Sequence, residues 1–131
     1  MSKIMNSKKQ AIDLLFSDSG PFNEDEVVEA LREHITIQRS TNQIFLKKSS
    51  ISVDKKILAY CLAKKLLKTK GLIETEMVSA QEFHKMTGIK KGTVDPAFKV
   101  LKGKGLLVGK REYEISLHNI SSVIEMLSSK K

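Results

Sequence analysis

This chain has one cysteine, two prolines, no tryptophan and three arginines. A single thiol, Cys61, cannot close an internal disulfide or build a multi-thiolate metal site. No apolar run exceeds the seven residues Ile57–Ala63, far short of the roughly 20 that cross a bilayer. The opening stretch MSKIMNSKKQ carries lysines but no apolar region of a secretory signal. These absences together predict a cytoplasmic protein. Signatures of catalysis are also missing. His34, His84 and His118 stand apart, without HExxH, paired cysteines or G-x-S-x-G. GIKKG and GKG lack the spacing of a phosphate-binding loop. The expectation is no enzyme, no metal and no cofactor. Aromatics amount to 5% of the residues and mostly fall at apolar-periodic positions, which argues against a stacking platform for single strands.

What is present is a core-forming composition and a lopsided charge. Forty per cent of the residues are hydrophobic, enough for a folded domain of this length. The formal net charge is +8. Residues 1–50 hold seven Lys/Arg and seven Asp/Glu, so the whole excess falls in residues 51–131. A solubility device would be spread evenly, whereas a localised basic field points to a polyanionic partner. The competing explanation is a general taste for lysine, which outnumbers arginine twenty to three.

Local signals divide the chain into an N-terminal extension, 1–50, and a main domain, 51–131. Residues 7–17 pattern as a short helix with Ile12, Leu15 and Phe16 on one side. Asn23 and Glu26 have the spacing of a capping box, and Phe22 and Val27 that of a hydrophobic staple, for a helix to about His34. Residues 35–47 alternate like strands, with Ser40-Thr41-Asn42 as the turn. Ser52 caps a helix from Val53 to about Lys70 whose apolar residues go all round the cylinder, so it should be buried on more than one side. Tyr60 and Cys61 read as core residues of that helix. Gly71 closes it, and Leu72–Thr75 suggests a short strand.

The richest stretch is Ser79–Leu107. Ser79 and Glu82 form an S-x-x-E box with Val78 and Phe83 as staple, and Gly88 ends that helix. A second helix starts near Lys91–Thr93. With Thr93 as N-cap, Pro96 falls at N3, where its missing N–H removes no intrahelical bond. Val94, Ala97, Phe98 and Leu101 share its core face. Lys91, Asp95, Lys99 and Lys102 gather within about 80° on the other side, taking about 100° per residue. Gly103-Lys104-Gly105 breaks the helix. Leu106–Val108 and Tyr113–Leu117 then make a hairpin with Lys110 and Arg111 at its tip. The last helix, about Asn119–Ser128, offers the stripe Ile120, Val123, Ile124 and Leu127, fit to pack on its own domain or to pair with a second copy.

A helical pair followed by a hairpin, with Thr87-Gly88-Ile89, Thr93-Val94, Leu101 and Gly105-Leu106-Leu107 in register, resembles a winged helix-turn-helix domain of bacterial and archaeal transcription regulators over residues 53–117. One residue departs from that pattern: His84 stands where such domains usually have a small side chain. The resemblance implies a mainly α fold with a small β-hairpin wing, behind an N-terminal helical extension. It also implies double-stranded DNA as partner. Lys90, Lys91, Lys99, Lys102, Lys104, Lys110 and Arg111 would then be phosphate or groove cations. Ser79 and Gln81 would hold a phosphate together with backbone amides. Thr93 and Asp95 would face base edges, although an acid near a helix start equally just suits the dipole. A dimer through the last helix would supply specificity that lysines lack. Two other readings stand beside this: a winged-helix docking module in a transcription, replication or processing assembly, and a small-molecule sensor.

Overall fold

Asn23 starts the first helix, α1 (Glu24–Leu31), by accepting the Glu26 N–H on its side-chain oxygen at 3.2 Å. Phe22 and Val27 are both buried, as the staple requires. The computed structural model describes residues 22–47 and 51–128, so the helix expected over 7–17 lies outside the described residues. A two-stranded antiparallel ribbon follows, β1 (Ile35–Gln38) and β2 (Gln43–Leu46), with Ile35 opposite Leu46 and Gln38 opposite Gln43. Its turn contains Asn42, whose φ of 59° is the left-handed conformation that asparagine tolerates.

Ser52 opens the long helix α2 (Val53–Thr69), its hydroxyl accepting from the Lys55 N–H at 3.3 Å. Every residue from Ile57 to Ala63 is buried, and so is Leu67. That burial is possible because α2 is a wall shared by neighbours on several sides: α1, β2, the later helices and the second sheet all contact it. A long loop then leads to β3 (Val78–Ser79). The strand expected at Leu72–Thr75 does not form. Leu72 is exposed there, and the two-residue strand that does form owes its place to antiparallel pairing of Val78 with Tyr113.

Next come α3 (Ala80–Thr87), α4 (Lys91–Gly103), β4 (Leu107–Gly109) and β5 (Glu112–Ile115). β5 lies between β3 and β4 in a three-stranded antiparallel sheet. A 3-10 turn, Leu117–Asn119, leads into α5 (Ile120–Ser128). The described residues form five helices and two small antiparallel sheets, a mixed α/β arrangement in which the expected helices are joined by more strand than a single hairpin. No helix of the described residues is long and apolar enough to cross a membrane.

The stripe on α5 is also reassigned. Ile120, Val123 and Leu127 are buried and Ile124 is half-buried, because α5 packs on α1 and α2. A helix whose apolar face already covers its own core has no such face left for a second copy. The His34 ring adds a buried tie, Nε2 donating to the Leu127 carbonyl at 2.8 Å. One hydrophobic cluster runs from Phe22 to Leu127 and holds α1, α2 and α5 together with the α3–α4 pair and the second sheet.

Candidate nucleic-acid interface

The orientation of α4 is set from behind by an aromatic chain. Tyr60 on α2 meets Phe83 on α3 edge-on at 5.4 Å between ring centres. Phe83 meets Phe98 on α4 at 6.0 Å, and Phe98 meets Tyr113 on β5 at 5.2 Å. Such pairs each contribute about 0.5–1.5 kcal/mol beyond the area they bury. Four elements are therefore pinned through one line of rings. Val94, Ala97, Phe98 and Leu101 are all buried, as their spacing predicts.

The turn between α3 and α4 is fastened at several points. Gly88 takes φ 78° as the left-handed exit from α3. The Thr87 hydroxyl donates to the Phe83 carbonyl at 2.7 Å and accepts from the Ile89 N–H at 3.2 Å. His84 accounts for its own presence: Nδ1 donates to the Ile89 carbonyl at 2.7 Å, tying α3 to the lead-in of α4. A small residue in its place could not make that bond.

Two capping details differ from expectation. Ser79 Oγ accepts from the Glu82 N–H at 3.0 Å, but the Glu82 carboxylate does not close the box. It takes the Tyr60 hydroxyl and the Lys64 ammonium instead, each at 2.9 Å. Burial and this neighbouring carboxylate push the Tyr60 phenol up, and burial pushes the Cys61 thiol up, so both are inert core groups. The second difference is at α4, which is capped by Lys90 rather than Thr93. Pro96 consequently sits inside the helix, and the Gly92 carbonyl loses the N–H that a non-proline residue would offer it.

The expected contact residues divide as follows. Lys90, Lys91, Thr93, Lys99, Lys102 and Lys104 are exposed along α4 and its ends, Gln81 is exposed on α3, and Lys110 and Arg111 are exposed at the hairpin tip. Asp95 is half-buried, and Ser79 is half-buried with its hydroxyl accepting the capping bond. Of the lysines on α4, Lys99 points outward. Taking about 100° per residue, the midline opposite the buried stripe carries Gly92, Pro96, Lys99 and Gly103, with Val100 about 70° to one side, all exposed. Lys91, Asp95 and Lys102 run along one margin of it.

Most of the ion pairs among the described residues lie on and beside α2. There Lys64 is bridged to Glu82, Lys65 to Glu76 and Glu114, and Lys70 to Glu24. Among the described residues, none of Lys90, Lys91, Lys99, Lys102, Lys104, Lys110 and Arg111 has an acidic partner. The carboxylates cluster elsewhere: a groove of about 640 Å³ between α1 and α5 is lined by Asp25, Glu26, Glu29 and Glu125, with Ser121, Ile124 and Ser128. Comparison with protein-family models, curated proteins and solved structures gives no match. The reading of this face rests on its own chemistry.

One charged group escaped the sequence reading. Lys65 is buried on α2, with Nζ at 3.1 Å from Glu114 of β5 and 3.4 Å from Glu76 of the loop before β3. Glu76 and Glu114 thus face each other across the Lys65 ammonium and interact. Burial and the interaction with Glu114 raise the Glu76 carboxyl above the usual range, while the interaction with Glu76, strengthened by Lys65, holds Glu114 below it. The cluster anchors the hairpin to α2. Among the described residues, no group of three or more His, Cys, Asp or Glu is arranged to hold a metal ion.

Proposed function

We propose that this protein binds duplex DNA through α4 and the β4–β5 hairpin, in the manner of a winged helix-turn-helix, and acts as a transcription regulator. The observation that carries this reading is the set of seven exposed cations without a carboxylate partner on one helix and its hairpin tip, among them five lysines along α4 and its ends. Unpaired exposed cations release counterions when they meet phosphates, which is the main source of affinity for DNA. The order α2, β3, α3, α4, β4, β5, with β5 central in its sheet, supports the winged-helix resemblance. The docking-module alternative cannot use the α5 stripe as its surface, since Ile120, Val123 and Leu127 lie in the core.

Fluorescence anisotropy with a random-sequence duplex across a salt series tests the proposal. Micromolar or tighter binding at low salt is expected. Six phosphate contacts predict a log–log slope of about −5. Lys99→Glu combined with Lys102→Glu should abolish binding with the fold intact by circular dichroism. A wild-type protein that leaves the duplex free at the lowest salt would overturn the reading.

A further inference from the structure

The outward midline of α4 is almost bare. Gly92, Pro96 and Gly103 lie along it with Lys99, so one side chain on that line can hydrogen-bond. The fold does not demand either glycine. Neither has a positive φ, and nothing stands within 4 Å of where a Cβ would be. A helix in the major groove discriminates bases with Arg, Lys, Asn, Gln, Asp or Glu aimed outward along such a line. Here Lys99 is the sole member of that set.

The residues around the midline add little sequence reading. Thr93 stands about 90° from it and Asp95 about 70°, and Asp95 is half-buried. A threonine hydroxyl both donates and accepts, so it suits any base edge. Lys90 and Lys91 at the start of α4, Lys102 and Lys104 at its end and Lys110 at the hairpin tip are placed for phosphates, which carry no sequence information. Arg111 is the sole arginine after residue 50, and in a minor groove it would tell A·T from G·C pairs and no more. Symmetry does not supply the missing specificity through α5, whose Ile120, Val123 and Leu127 are in the core.

We infer that this face holds duplex DNA through its phosphates and is indifferent to base sequence. The inference rests on the DNA-binding reading above and names the substrate of that site as any B-form duplex. The seven exposed cations supply the affinity through counterion release. A regulator of this kind acts through how densely it coats DNA rather than at one operator.

The test is selection of preferred duplexes from a random pool with wild-type protein. The most enriched duplex then competes against the unselected pool at fixed salt. A dedicated site binds about 10³–10⁷-fold more tightly than non-specific DNA. Here the enriched duplex should gain less than about tenfold, the order of one base contact from Lys99. Lys102→Ala combined with Lys104→Ala should weaken the enriched duplex and the pool by the same factor. A gain above about tenfold overturns the inference and leaves the DNA-binding reading standing. A double variant that weakens the enriched duplex alone does the same. Failure to bind the pool at the lowest salt removes both. The wild-type gain decides the matter even if the variant is poorly folded.

Discussion

Lys65 shows how a single residue can be read wrongly from its surroundings in the chain. It sits in a run of lysines that looks like a solvated face, yet its ammonium is buried between two carboxylates. Neither partner is on α2; one comes from the loop before β3 and one from β5, so no helical spacing announces them. The pair has opposite linkage to pH. Glu76 has a raised folded pKa, so its contribution to stability is complete below the ordinary carboxylate range and is lost as pH rises through the raised value. Glu114 is depressed, so its contribution is present above the ordinary range and is lost as pH falls through the lowered value. Glu76→Gln supplies a permanently neutral donor. It should therefore gain stability relative to wild type as pH is taken from 5 to 8, read as the difference in urea midpoints. A difference that shrinks over that interval contradicts the upward shift at Glu76. His84 is the second such residue. Its bond to the Ile89 carbonyl depends on how the chain turns at Gly88, which lies beyond the reach of periodicity.

At the level of elements, the hairpin depends on one glycine. Gly109 has φ 133°, and a Cβ there would collide with the Glu112 carbonyl oxygen. Gly109→Ala should destabilise the protein by about 1–3 kcal/mol through backbone strain. Chemical denaturation measures the loss, and weaker binding to duplex DNA should accompany it as Lys110 and Arg111 shift. An unchanged midpoint would mean that the tip rearranges freely. Element boundaries set by local chemistry were readable in advance: Asn23, Ser52 and Ser79 each cap a helix, and Gly88 ends one, because a cap involves groups within three or four residues. The two hairpins were readable as well, but a strand that depends on pairing with a distant partner was not. The strand at Val78–Ser79 exists through its register with Tyr113 and Glu112, so the more apolar Leu72–Ile73 was the natural misreading. The start of α4 fell between two readings for a similar reason. Lys90 has no side-chain cap bond, and the tie from His84 to Ile89 fixes the entry instead. The midline of α4 was legible in part. The core face followed from spacing, but of the lysine row only Lys99 lies near the outer midline, with Lys91 and Lys102 along its margin.

Across the whole molecule, α2 holds the parts together and α5 closes them. Leu127 is buried against α1 and α2, and His34 bonds to its carbonyl. Leu127→Ala should cost about 2–5 kcal/mol, the range for a large apolar side chain removed from a core. Because α1 and α5 are far apart in sequence, their contacts carry a loop-closure cost that the α3, α4 and hairpin contacts do not. The loss should accordingly appear mainly as faster unfolding, with the refolding rate little changed, in stopped-flow measurements. A variant that slows refolding instead would place the α1–α5 seam in the folding nucleus. His34 then has a meaning in time as well as in space. The residues joined by its ring are 93 positions apart, so loop-closure cost leads us to expect the seam to form late and to open early. The cationic face behind the aromatic chain is complete earlier. A chain in which α5 has momentarily lifted away still presents Lys99, Lys102 and the hairpin tip, and a polyanion can hold it while the seam opens and shuts.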